Sequence, residues 1–179
     1  MRIDWWFCWW GTCGLADGTY VELKMQTVST VTLEKNQEAT DFSQAKSAVI
    51  VEGKPTGIEV PGQVLEAAVK VDTHRYLLFI TDDVIFEEAL TIVLIHTNQG
   101  LLETLHLGNE YASGYFEELT TIGNSVSFKF IGDTTWTINV SESLRLRIPF
   151  LSDPSGVKRT PGLKKYLSVT ANPAPAKAK

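Results

Sequence analysis

Histidines are the side chains of this chain best suited to proton transfer or metal ligation near neutral pH, and there are three: His74, His96 and His106. His96 and His106 flank an expected hairpin turn at Asn98-Gln99-Gly100, from which they could approach each other or Glu103. A metal centre needs three or four converging ligands, and no H-E-x-x-H or comparable spacing occurs, even with Asp82, Asp83, Glu87 and Glu88 close in sequence. His74, beside Arg75 and two residues after Asp72, has the setting of a turn histidine more than of a catalytic one. Asp83 and Glu87 stand four apart and would share a helix face. Paired carboxylates serve glycoside hydrolysis, yet so many acids in one region make some such pair inevitable. G-x-S-x-G is absent, and Cys8 lies among four tryptophans, where burial lowers thiol reactivity. The glycines between Gly11 and Gly18 match neither the dinucleotide nor the P-loop pattern. No catalytic, cofactor or metal residue is therefore expected.

Charge is distributed more informatively. The 179 residues carry a net −5, but residues 141–179 hold eight basic side chains against Glu142 and Asp153, a net +6 that leaves −11 on the rest. Between Arg75 and Lys129 there is no lysine or arginine. That interval holds Asp82, Asp83, Glu87, Glu88, Glu103, Glu110, Glu117 and Glu118. A surface of one sign attracts oppositely charged partners and speeds their association. The alternative is that basic and acidic segments lie side by side and neutralise each other, as charge runs often do. Nucleic acid is disfavoured as a partner, because the basic segment has no recognition motif and only Phe150 and Tyr166 for stacking.

These residues need a scaffold, and the sequence describes one made of strands. Hydrophobic residues are 44% and charged residues 21%, an ordinary globular composition. No apolar run approaches the roughly 20 residues of a membrane-spanning helix. Strand-like segments are Val64–Val71, Arg75–Thr81, Thr91–Thr97, Leu101–Leu107, Ser125–Ile131, Thr134–Val140, Leu144–Phe150 and Lys165–Thr170. Short strands at this spacing imply an antiparallel sandwich or barrel. Tyr20 to Met25 alternates as a half-buried strand, and Thr27 to Leu33 continues with its phase shifted by one, which calls for a bulge or turn near Val28. Lys35 to Lys46 reads as a polar loop, and Gly53, Pro55, Gly57, Pro61 and Gly62 as repeated breaks. Asp83 to Leu90 and Tyr115 to Thr121 read as short helices.

Two segments permit sharper expectations. For the apolar faces Val126, Phe128, Phe130 and Trp136, Ile138, Val140 to coincide, the connecting loop must contain an odd number of residues. A three-residue loop with left-handed glycine meets that condition. Leu144, Leu146, Ile148 and Phe150 alternate with Arg145 and Arg147, which places the leucines inside and the arginines outside.

Four tryptophans, Trp5, Trp6, Trp9 and Trp10, fall within the first ten residues and make either a core strand or an aromatic-lined cavity. The stretch is too short and aromatic for a secretory signal, so the expectation is a cytoplasmic, bacterial-type protein with free thiols at Cys8 and Cys13. The Asn139-Val140-Ser141 sequon is then a chance match.

Taken together, the expected molecule is an all-β, single antiparallel sandwich or barrel with one or two short helices over residues 1–170. A disordered Pro/Ala/Lys tail follows over 171–179. Its expected role is protein binding: an acidic cytoplasmic module docking a basic protein, of which an immunity-type inhibitor is one instance. The alternatives are a β-barrel carrier with its cavity lined by the N-terminal tryptophans, and a metal-assisted hydrolase built on the histidines.

Overall fold

Two strands explain the architecture. Arg75–Thr81 and Leu90–His96 are apolar at nearly every position, where a strand with one wet face would alternate. Both are buried along almost their whole length, so each must be covered on two sides. A computed structural model describes residues 24–37, 44–82, 89–108, 114–147, 153–160 and 162–175, and it provides those two covers as two further sheets.

The central sheet is six-stranded and antiparallel, built from β1 (Gln26–Val28), β5 (Val64–Lys70), β6 (Arg75–Thr81), β7 (Leu90–His96), β8 (Gly100–Leu107) and β12 (Val157–Arg159), in the order β1-β5-β6-β7-β8-β12. A three-stranded sheet of β2 (Val31–Gln37), β3 (Lys46–Val51) and β4 (Lys54–Pro61) covers one face. On the other lies a four-stranded sheet of β9 (Glu117–Ile122), β10 (Ser125–Lys129), β11 (Thr135–Leu146) and β13 (Lys164–Asn172), in the order β13-β11-β10-β9. The protein is thus all-β and sandwich-like, and none of its sheets closes into a barrel. No helix among the described residues is long and apolar enough to cross a membrane.

Side-chain alternation sorts the core into two clusters. Leu77 and Phe79 of β6 point to the four-stranded sheet, where they meet Phe128, Trp136 and Ile138. Tyr76, Leu78 and Ile80 of the same strand point to the three-stranded sheet and its Val31, Val49, Ile58 and Val60. Each such side chain contributes roughly 1.5–3 kcal/mol on burial. Phe79 and Phe128 meet edge-on, with ring centroids 5.1 Å apart. The outer strands β1 and β12 of the central sheet have three residues each, a length that limits pairing with other chains.

The phase shift near Val28 is a change of sheet: β1 belongs to the central sheet, β2 to the three-stranded one, and the chain turns between them at Ser29 and Thr30. The hairpin parity also holds. Phe128 pairs with Trp136 and Val126 with Ile138, with Lys129↔Thr135 the last pair, leaving the odd-length loop 130–134. That loop is longer than three residues. Gly132 is left-handed (φ 65°), as expected, and so is Ile131 (φ 62°). Trp136 Nε1 donates to the Phe130 carbonyl at 2.7 Å, which closes the loop over the core.

Several expectations are corrected. Tyr115 to Thr121 is not a helix: Glu117–Ile122 is strand β9, because its pairing with β10 outweighs local preference. Of the expected breaks from Gly53 to Gly62, Gly53 lies in the turn before β4 and Gly62 follows its end, but Pro55, Gly57 and Pro61 do not interrupt the chain. Strand β4 runs through Pro55, Gly57 and Pro61, which an outer strand tolerates since its free side needs no N–H donors. Lys35 to Gln37 extends β2 instead of opening a loop. Ala171 and Asn172 are the last residues of β13, paired with Trp136 and Thr135, so the tail cannot begin at 171. The Asp83–Leu90 helix and the N-terminal tryptophan segment fall on residues outside those described, apart from Ala89 and Leu90, of which Leu90 begins β7.

Thr134–Val140 and Leu144–Phe150 are not separate strands as far as Leu146; they join in the single strand β11. Along it, Val140 pairs with Leu167 but Arg145 pairs with Lys165, so β11 carries three more residues than β13 between those two pairs. An odd excess inverts the faces. Beyond it Leu146 is 83% exposed and Leu144 is exposed too, while Arg147 turns inward. The expected placement therefore fails for Leu144 and Leu146, which lie outside, and for Arg147, which lies inside, while Arg145 is exposed as expected. Arg75 Nη1 donates to the Ser141 carbonyl at 2.8 Å, satisfying an acceptor within the irregular stretch.

Candidate functional site

Past the bulge, Arg147 faces β8 and the segment that carries β12. There the basic C-terminal part of the chain meets the acidic middle part. Arg159, whose side chain is only 2% exposed, donates from Nε and Nη2 to the two oxygens of Asp153 at 2.8 and 2.7 Å. Its Nη1 donates to Glu103 Oε1 on β8. The other oxygen of Glu103 accepts the backbone N–H groups of Tyr166 (2.6 Å) and Leu167 (3.0 Å) on β13. One carboxylate on β8 thus joins the edge strand β12 of the central sheet and strand β13 of the four-stranded sheet. A forked guanidinium suits this two-carboxylate arrangement because it presents donors in a fixed plane.

Arg147 shares Asp153 less closely, with Nη2 3.7 Å from Oδ2. Its Nε is buried and has no hydrogen-bond partner among the described residues. Beside this cluster is a cleft of about 200 Å3, lined by Leu101, Leu102, Thr104, Arg147, Thr160 and Lys164 among others. Polar and apolar walls therefore meet beside an arginine donor left over among the described residues.

The predicted acidic residues do not form one group. Glu103 is neutralised inside the cluster just described. Asp82 accepts from Gln44 Nε2 at 2.7 Å, and its Oδ1 is buried without a partner among the described residues. Glu117 and Glu118 are exposed on β9, where Glu118 holds Lys129 Nζ at 2.8 Å. That bond, with Glu117 and Asp133 also near, raises the Lys129 ammonium above its ordinary pKa. Asp83, Glu87, Glu88 and Glu110 lie outside the described residues, as do Trp5, Trp6, Trp9 and Trp10.

Among the histidines the expected approach of His96 to His106 or Glu103 does not occur, because β8 carries His106 to the far end of the hairpin. His96 instead stacks on His74, with centroids 5.4 Å apart. Its Nδ1 accepts the Asn98 N–H at 3.1 Å. His74 sits in a turn: Asp72 Oδ1 accepts the N–H groups of His74 and Arg75, both at 2.8 Å. Burial pushes the Asp72 carboxyl up, but those bonds and the Arg75 guanidinium outweigh it and hold it below the usual range. His106 lies next to Thr91, its Nδ1 3.1 Å from Thr91 Oγ1. Burial lowers its pKa, with nearby Asp82 opposing and Lys158 reinforcing the shift. No group of three or more His, Cys, Asp or Glu among the described residues could hold a metal ion.

Arg147, Arg159, Asp153 and Lys164 were not singled out as site residues from sequence. Their only signal was membership of the basic segment, and Arg147 was placed outside by an alternation that the bulge interrupts. Fold and site together define an all-β protein of three layered antiparallel sheets with a charged cleft at one edge. No protein-family model matches the chain, and no curated protein or solved structure matches it.

Proposed function

We propose that this protein is a binding module that docks a basic segment of another protein along strand β9. The observation carrying the reading is the outer side of that strand. β9 ends the four-stranded sheet, and no described residue pairs with its free edge. Tyr115, just before it, is 77% exposed and Ile122 is 75% exposed, with Glu117 and Glu118 between them. An extended peptide added to such an edge gains main-chain hydrogen bonds, and alternate side chains provide specificity. Glu117, Glu118 and Asp133 around Lys129 leave this region net negative, which favours lysine or arginine in the partner.

Glu103 takes no part in this docking, since its charge is spent on Arg159. The proposed face is therefore the second half of the lysine-free stretch instead of all of it. A toxin-neutralising inhibitor in the cytoplasm is one role compatible with such a face.

The test is titration of an alternating lysine–valine peptide into the full chain, followed residue by residue by NMR. Shifts should concentrate on residues 115–122, and affinity should weaken about tenfold between low and high salt, as screening of several charge pairs requires. Replacing Glu117 and Glu118 together by lysine should abolish the shifts. Binding elsewhere, or binding indifferent to salt, would refute the reading.

A further inference from the structure

We propose that the cleft beside Arg147 binds a small organic anion, with its oxyanion head on Arg147 and Lys164 and its apolar body against Leu101 and Leu102. The argument begins with what the local carboxylates have left over. Both oxygens of Glu103 are engaged, one by Arg159 and one by the N–H groups of Tyr166 and Leu167. Both oxygens of Asp153 accept from Arg159. Two acids are thereby committed to one arginine, while Arg147 and Lys164 add two more positive charges to the cleft wall. The balance there is net positive, and the surplus is on Arg147.

Arg147 is also the group whose donors are unmet. Its contact with Asp153 is 3.7 Å, too long for a hydrogen bond, and its buried Nε has no acceptor among the described residues. A guanidinium carries five N–H donors and no acceptor, so only an oxygen-bearing or anionic group can satisfy it. Thr104 and Thr160 also contribute to the lining of the cleft. Among the described residues a cation finds no comparable site, because the nearby carboxylate oxygens are already occupied.

The dimensions extend the argument from an anion to an organic one. A cleft of about 200 Å3 is several times the roughly 30 Å3 share of a single water. Leu101, 44% exposed, and the half-buried Leu102 supply an apolar wall next to the charged one. Carboxylate and phosphoryl heads both fit a guanidinium fork. The oxyanion is the shared chemistry, and its two sources can be separated by experiment.

Benzoate, phenyl phosphate and inorganic phosphate are each titrated into the full chain and followed by NMR. The expected result is saturable binding of benzoate or phenyl phosphate below about 20 mM, centred on residues 101–104 and 162–164 and at least threefold tighter than inorganic phosphate. The better of the two organic probes identifies the head group. Lys164→Gln, a change at an exposed position, should weaken that binding at least threefold, and Arg147→Gln should weaken it more. The lysine variant keeps the test decisive even if the Arg147 variant fails to fold. Absence of saturable binding, binding equal to that of inorganic phosphate, or binding unchanged in Lys164→Gln would overturn the proposal. None of these readouts involves β9, so the result is independent of the peptide-docking reading.

Discussion

The two halves of β11 differ sharply in burial. From Thr135 to Val140 it is a regular strand whose Trp136, Ile138 and Val140 are buried between sheets. From Ser141 to Leu146 every residue after Ser141 is exposed, and just past the strand's end Arg147 turns inward although its place in the alternation put it outside. The same alternating pattern of apolar and polar residues thus builds core on one side of a bulge and a charged cleft on the other. Three extra residues are enough, because side chains alternate with a period of two and any odd insertion exchanges the faces.

The largest expected effect is in the core half. Trp136→Ala removes a buried indole and its hydrogen bond to the Phe130 carbonyl, and should cost about 4 kcal/mol in urea unfolding. A loss below about 1 kcal/mol would mean that the first half of β11 is not the rigid partner of the central sheet.

Next comes the charged half. Glu103→Ala leaves Arg159 buried without one of its two carboxylates and frees two β13 N–H groups, so a loss of about 3 kcal/mol is expected. If unfolding instead showed no change, the cluster would be a surface feature and the contrast between the halves would lose its meaning.

Acid should act on β8 through its other face, more weakly. The folded state holds His106 below the ordinary histidine pKa of 6.5, chiefly by burial. The unfolded chain therefore takes up the proton first as pH falls. Stability from this residue is complete above about pH 6.5 and declines below it, until the folded form is protonated too. Unfolding measured at pH 7.5 and pH 5.5 should show a decline that His106→Gln reduces. An unaltered pH dependence in that variant would remove His106 as its source.

The smallest effect belongs to Leu146→Ser, at 83% exposure, which should stay within about 0.5 kcal/mol of the parent. Were it costly, Leu146 would have a covering partner and the face inversion would be wrong.

Much of the scaffold was legible in advance. β5 to β8, β10 and β13 fall within a residue or two of the apolar runs that marked them, since period-two patterning and turn residues act locally. The odd loop between β10 and β11 was legible for the same reason: it followed from which faces were apolar. The segment of β9 was misread, because Glu117 and Glu118 look helical until β10 is placed beside them. The site was barely legible. Glu103 stood out only as one acid of a run, and nothing around it in the chain announces Arg159, Tyr166 or Leu167, all more than fifty residues away.

By itself the sequence determined that this chain makes antiparallel strands, where most of them lie, and that two of them must be covered on both faces, because burial and alternation are written into neighbouring residues. Tertiary structure alone decided which charges meet. Segments distant in the chain become adjacent only when β12 pairs with β8 and β13 with β11, and the bulge that turns Arg147 inward exists only as a mismatch between two strands.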